Sequence, residues 1–143
     1  MRVNLGSAFV LAQEAKAYLE KSNHASIILV SSIYGMAGPD LKLYKGTPMK
    51  HPAAYGVSKA GLLQLTRYLA TVLAPAVRVN AITPGGVWRH QNQKFHQRYK
   101  EKTPLGRMAV EEDFKGAVAY LASDLSKYVT GHNLVVDGGF TAW

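Results

Sequence analysis

The sequence predicts an α/β fold in which three parallel strands are covered by helices. Short apolar runs rich in β-branched residues recur at SIILVSS (26–32), VRVNAIT (77–83) and NLVVDGG (133–139), and each stops at small or turn-forming residues. Segments with helical spacing separate the runs. The strands therefore need crossover connections and lie parallel, buried on both faces.

Each element has its own signature. Residues 5–21 read as an amphipathic helix, with Leu5, Phe9 and Ala12 on one face, continued by Lys16 and Leu19, and an end before Ser22 and Asn23. SIILVSS is a buried strand. The stretch 35–53 carries Gly35, Gly38, Pro39, Gly46, Pro48 and Pro52 and reads as one long loop, a kind of segment that usually serves function in a compact domain. Residues 54–73 form a long helix ended by Pro75, because proline cannot continue the backbone ladder. VRVNAIT is the second strand, stopped by Pro84-Gly85-Gly86. Residues 90–103 are polar and basic, a short helix on a loop. Residues 110–125 form a helix whose acidic first turn suits the helix dipole. NLVVDGG supplies the third strand and a turn. In such sheets ligands sit beyond the carboxyl ends of the strands. Those ends are Ser31-Ser32, Thr83-Pro84-Gly85 and Asp137-Gly138.

Composition narrows the function. A chain of 143 residues, 48% apolar, suits one domain with a real core. No apolar run reaches the roughly 18 residues of a membrane span. The opening MRVNLGSAFVLAQEAKA has the outline of a small signal peptide, but Asn4, Gly6 and Ser7 interrupt its apolar run, and an amphipathic helix fits better. The absence of cysteine excludes disulfides and thiolate metal sites and fits a reducing, cytoplasmic setting. The five histidines are scattered without metal-ligand spacing, so no metal site is expected. A net charge of +8 favours an anionic partner. No basic stripe with interleaved aromatics appears, so nucleic acid is not that partner.

The chemistry is concentrated in HPAAYGVSKAGLLQLTR (51–67). Tyr55 and Lys59 stand four apart and share one helix face. A free phenol, with a pKa of about 10, is no base near neutrality, and a neighbouring ammonium favours the phenolate. Such a pair can pass a proton to or from a carbonyl or alcohol oxygen. The lysine keeps donors for a second ligand such as a ribose. Ser32, closing the first strand, can bond the same substrate oxygen, and the Pro84-Gly85-Gly86 turn lets backbone approach a ligand closely. Taken singly, each has a plainer reading: surface decoration, a strand-end cap, an ordinary turn.

Together, VNLGSAF, IILVSSIYG, YGVSKAGLLQLTRYLA, VRVNAITPGGV, GRMAVEEDFKGAVAYLASD and YVTGHNLVVDGG follow the order and nearly the spacing of the classical short-chain dehydrogenases/reductases. The sequence resembles that family over essentially its whole length. The resemblance implies that residues 1–143 are a partial NAD(P)-binding domain, the C-terminal part of a Rossmann-like doubly wound parallel sheet. It implies hydride transfer between NAD or NADP and a small-molecule carbonyl or alcohol. Tyr55 would be the catalytic acid/base, and Lys59 its activating partner and a ligand of the nicotinamide ribose. Ser32 would orient the substrate carbonyl. Asn4 would hold a water in a proton relay to Lys59, a role compatible with a helix N-cap. Pro84, Gly85 and Val87 would face the nicotinamide. The resemblance also implies a homo-oligomer, dimer or tetramer, built on the last strand and the long helix; Phe140 and Trp143 are either exposed for it or tail residues packed on their own domain.

The sequence departs from the family in three places. Members usually begin with a strand, a Gly-rich turn and a helix that bind the cofactor pyrophosphate, and this sequence has no such segment. The 143-residue chain is therefore expected to be truncated, to bind NAD(P) poorly, to turn over little, and to leave its first strand with an open edge. Arg89 stands where the family usually has a threonine on the nicotinamide amide, so that role is not carried over. The loop between Ser32 and Tyr55, 23 positions apart, is longer than usual and holds DLKLYKGTPMKH (40–51). It carries Lys42, Lys45, Lys50 and His51, while Arg89, His90, Lys94, His96, Arg98, Lys100 and Lys102 occupy the other substrate-side loop. An anionic substrate is expected, such as a phosphorylated, carboxylated or nucleotide-linked sugar, with Tyr34, Lys45 and Arg89 beside Ser32 as candidate contacts. Two other readings stay open: a non-catalytic fragment serving oligomerisation or complementation, and a reductase of acyl groups on an acidic carrier protein.

Overall fold

Three parallel strands lie side by side in chain order in the computed structural model, which describes residues 1–143: β1 (Ser26–Val30), β2 (Arg78–Pro84) and β3 (Asn133–Val136). Ser26 lies opposite Arg78, and Ala81 opposite Asn133. Four α-helices accompany them: α1 (Ser7–Leu19), α2 (Ala53–Val72), α3 (Gln93–Lys102) and α4 (Glu112–Ala122). No helix is long and apolar enough to cross a membrane.

Strand alternation decides which helix covers which face. Ile27, Leu29 and Val79 pack with Ala12 of α1 and with Leu62, Leu69 and Ala70 of α2, around Leu73 and Val77. Ser26 and Arg78 have the opposite parity and meet the end of α4. Ser26 Oγ donates to the Leu121 carbonyl at 2.9 Å, and the Arg78 guanidinium donates to the carbonyls of Leu121 at 3.1 Å and Ser123 at 3.2 Å. A cation there satisfies carbonyls that a helix end leaves open and suits its negative dipole.

Several boundaries differ from the sequence expectation. A π-helical turn, Arg2–Gly6, precedes α1, so Asn4 lies inside a helical turn instead of capping one. β1 ends at Val30. Ser31 N–H still bonds the Ile82 carbonyl at 2.8 Å, but Ser32 opens a 3₁₀ turn, Ile33–Gly35, with its Oγ accepting from Tyr34 N–H. The long loop holds a second 3₁₀ turn, Leu41–Tyr44, capped by Asp40. The helix expected over 110–125 ends at Ala122, and a short 3₁₀ turn, Asp124–Ser126, follows an extended Ser123.

Phe140 takes the second of its two readings and packs on its own domain. It is buried and stacks on Tyr99 at a centroid distance of 4.6 Å. The polar surface of α3 hides an inward pair, Phe95 and Tyr99, one turn apart. They form a second core with Ile33, Leu43, Met108 and Phe140. Trp143 is exposed, as expected, with its Nε1 donating to the Lys102 carbonyl at 3.2 Å. The outer edge of β1 pairs with no strand, and Val30 there is half exposed.

Candidate active site

The carboxyl ends of β1 and β2 and the first turns of α2 border a cavity of about 480 Å³. Ser32, Tyr34, Tyr55, Lys59, Pro84, Gly85 and Val87 line it, and so do Ser31, Lys50, His51, Gln91 and Tyr99. Asn4, Lys45 and Arg89 do not. Asn4 Nδ2 donates to Ser58 Oγ at 3.1 Å, and Ser58 Oγ donates to the Tyr55 carbonyl at 2.7 Å. Asn4 thus supports the turn that carries Tyr55. Lys45 is exposed on the long loop. Arg89 pairs with Glu111 at 2.6 Å.

Tyr55 lies in the first turn of α2, and Lys59 follows one turn later. Lys59 Nζ stands 5.7 Å from the Tyr55 ring centroid and donates to the Val30 carbonyl at 2.8 Å. Burial pushes the Lys59 pKa below that of an exposed lysine. The backbone here is pinned from β1: Ser31 Oγ donates to the Lys59 carbonyl at 2.8 Å. Gly35 packs so tightly that a Cβ on it would lie 2.7 Å from the Lys59 carbonyl carbon.

The turn after β2 is braced from behind. Gly85 N–H bonds the Val136 carbonyl at 2.9 Å, and Gly86 N–H bonds the Tyr99 hydroxyl at 2.5 Å. Val87 accepts from Gln91 Nε2 at 2.7 Å, and Ala109 N–H bonds the Gly86 carbonyl at 2.9 Å. Burial pushes the Tyr99 phenol up to about 12, so it stays neutral beneath the turn. A Cβ on Gly86 would meet the Tyr99 ring at 2.7 Å, which explains the second glycine.

The long loop forms the opposite wall. The Tyr34 and Tyr44 hydroxyls bond each other at 2.6 Å, and burial, then this bond, hold the Tyr34 phenol well above its ordinary value. From α3, Arg98 donates to the carbonyls of Lys42, Leu43 and Lys45, and Lys102 pairs with Asp40 at 2.9 Å. Arg89, Arg98 and Lys102 are thus engaged within the protein. Lys50 lines the cavity and makes no ion pair.

The donor set fits the nicotinamide end of NAD(P). Lys59 has three donor hydrogens and uses one on Val30, which leaves two for ribose hydroxyls. The Pro84–Val87 backbone borders the same space.

Sequence reasoning missed four contributors. Ser31 was hidden behind Ser32, although a doubled serine at a strand end was its signal. Tyr99 could have been found from its spacing to Phe95 in a polar helix. Ser58 links Asn4 to Tyr55 across the fold and left no local trace. His51 was counted among the basic residues of the loop, yet its ring packs on Tyr34 and Tyr55 inside the cavity.

The family profile described as Enoyl-(Acyl carrier protein) reductase matches residues 1–141. Tropinone reductase-like 3 from Erythroxylum coca is 38% identical over 143 residues, covering 96% of this chain and 51% of that protein. A short chain dehydrogenase from Leptospira borgpetersenii serovar Hardjo-bovis, solved with bound NAD+, superposes with a TM-score of 0.90 at 43% identity, covering 97% of this chain and 54% of that one. A gluconate 5-dehydrogenase from Burkholderia cenocepacia, in complex with NADP and tartrate, gives a TM-score of 0.84 at 27% identity, covering 100% of this chain and 55% of its own. The chain spans about half the length of the relatives it matches. With its strand order, its Tyr55–Lys59 pair and these likenesses, the chain belongs to the classical short-chain dehydrogenase/reductase family.

Proposed function

We propose that the chain carries the catalytic end of an NAD(P)-dependent oxidoreductase that interconverts a carbonyl and an alcohol on an anionic, sugar-like molecule. The observation that carries this reading is that Ser32, Tyr55 and Lys59 face one cavity at the carboxyl end of the sheet. When bound, the nicotinamide supplies or takes the hydride. The Tyr55 phenol gives its proton to the substrate oxygen in reduction and takes it back in oxidation. The Lys59 ammonium favours the phenolate form of Tyr55, and its free donors hold the ribose. The Ser32 hydroxyl donates to the same substrate oxygen and fixes its direction. Asn4, through Ser58, steadies the turn that presents Tyr55.

Anion recognition centres on Lys50, because Arg89, Arg98 and Lys102 are occupied elsewhere. The Burkholderia relative, a gluconate 5-dehydrogenase in complex with tartrate, supports an acidic substrate. In this chain joined to a cofactor-binding half, kcat/KM for an anionic sugar ketone should exceed that for its neutral analogue by about fivefold, as an exposed ion pair allows. Lys50→Met should remove that difference. Equal values in the unaltered protein would remove the anionic substrate.

The free edge of β1 supports a complementing strand that brings the pyrophosphate site, and weak NAD(P) binding by the 143 residues on their own. An apolar groove lined by Leu5 of the π-helical turn, Phe9 of α1, and Leu65 and Tyr68 of α2 supports a homo-oligomer.

A further inference from the structure

The long loop is fastened to the rest of the chain at few points. Residues 39–50 bond among themselves, but every hydrogen bond that leaves this stretch involves Tyr34, Arg98 or Lys102. Arg98 makes most of them. Its Nη1 donates to the carbonyls of Lys45 at 2.5 Å, Lys42 at 3.2 Å and Leu43 at 3.4 Å, which cluster at the end of the 3₁₀ turn Leu41–Tyr44. A helical turn leaves carbonyls at its end in need of donors, and a guanidinium brings several from one plane. Lys102, one turn further along α3, pairs at 2.9 Å with Asp40, the cap of the same 3₁₀ turn. Leu43 is buried with Phe95 and Tyr99, and the Tyr44 ring stands 5.2 Å from that of Phe95. The turn and α3 therefore form one body. It reaches the reacting end of the cavity through two bonds: the Tyr44 and Tyr34 hydroxyls meet at 2.6 Å, and Tyr34 N–H donates to Ser32 Oγ at 3.3 Å. Ser32 and Tyr34 line the cavity, and Arg98 does not.

We propose that Arg98 is a positioning residue that clamps the long loop onto α3, so that the two form one wall and set where Tyr34 and Ser32 stand. It acts on the substrate through the loop it holds and not through its charge. The inference rests on the carbonyl-reducing reading above and adds the residue that shapes its substrate wall. Tyr55 and Lys59 lie outside the clamp, because Ser31 Oγ pins their helix to β1 through the Lys59 carbonyl. Loss of the clamp is therefore felt in substrate fit more than in turnover. Lysine is no equal substitute, since an ammonium is a point charge without the planar fork of a guanidinium.

Amide hydrogen exchange of the 143-residue protein, followed residue by residue by NMR, tests the clamp. The amides of Leu43, Lys45 and Thr47 bond within the loop and report on its order. In Arg98→Met they should exchange about tenfold faster, while those of Leu62, Leu63 and Leu69 in α2 keep their protection. Arg98→Lys, which keeps the charge, should loosen the same amides by a smaller factor. Unchanged loop exchange in Arg98→Met would overturn the proposal. Loosening that reaches α2 in both variants would overturn it too, since Arg98 would then hold the whole fold. In this chain joined to a cofactor-binding half, Arg98→Met should raise KM about fivefold and change kcat less, equally for an anionic sugar ketone and its neutral analogue. A loss confined to the anionic ketone would overturn the proposal and assign Arg98 to charge recognition. No ketone reduction with Arg98 in place would remove the carbonyl-reducing reading, whereas the exchange result would still decide the clamp.

Discussion

Gly35 shows how finely the Tyr55–Lys59 pair is set. It sits in the 3₁₀ turn after β1, and a Cβ there would lie 2.7 Å from the Lys59 carbonyl carbon and 2.8 Å from Ser31 Oγ. The turn and α2 therefore meet backbone to backbone, which fixes Lys59 relative to β1. Gly35→Ala should cost about 1–3 kcal/mol of stability, the usual range for overpacking. Urea denaturation measures it. An unchanged midpoint would mean that α2 shifts freely and that the contact does not position Lys59. At this scale the sequence was informative only where chemistry is local. Tyr55 and Lys59 were paired by their spacing and Ser32 was found by its place at a strand end, and the resemblance then gave the three their roles. The links from Asn4 through Ser58, and from Gly86 to Tyr99, join residues far apart in the chain, so no window of sequence displays them.

The elements were legible in proportion to their hydrophobic pattern. β2 and α2 were read nearly to the residue, because an apolar β-branched run and a long amphipathic stretch each fit a single period. β1 was read too long by Ser31 and Ser32: Ser31 N–H keeps one ladder bond, to Ile82, and Ser32 turns its side chain to cap the 3₁₀ turn that follows. α3 was read as a polar loop helix, because its two buried aromatics are outnumbered by charged neighbours. α4 begins with a device that the acidic first turn announced. Asp113 takes two bonds from the Arg107 guanidinium, at 2.6 and 2.7 Å, and one from Val110 N–H at 2.8 Å. The Arg107 bond first, then the backbone bond, hold its carboxyl down to about 2. A carboxyl lowered in the folded state stabilises the fold above its unfolded value of about 4. That contribution is lost as pH falls from about 4 towards 2. Thermal melting of Asp113→Asn should accordingly show a flatter acid limb than the parent over that window. Parallel limbs would mean that the Arg107 contact is as weak as an ordinary surface pair.

The whole molecule is a three-stranded sheet whose outer strands, β1 and β3, each leave one edge without a strand partner. Its carboxyl end gathers the cavity that holds Ser32, Tyr55 and Lys59, while β1 offers an open parallel edge on the side away from β2. The fold class was legible because three apolar runs alternated with helical stretches. What would cover the edge was not, because none of the three strands pairs with it. NADH fluorescence titration of the 143-residue protein should give no saturable micromolar binding, since no Gly-rich strand–turn–helix is present to cradle the pyrophosphate. Tight binding would show that the nicotinamide end alone anchors the cofactor. The central claim is that Tyr55 is the proton donor and acceptor of a carbonyl-reducing site. The measurement that tests it most directly is NADH-dependent ketone reduction by this chain joined to a cofactor-binding half, with Tyr55 and with Tyr55→Phe. The account predicts that turnover falls by about 10²–10⁴-fold while NADH still binds. Turnover retained in Tyr55→Phe, with the cofactor bound, would contradict it and place the proton on another group in the cavity.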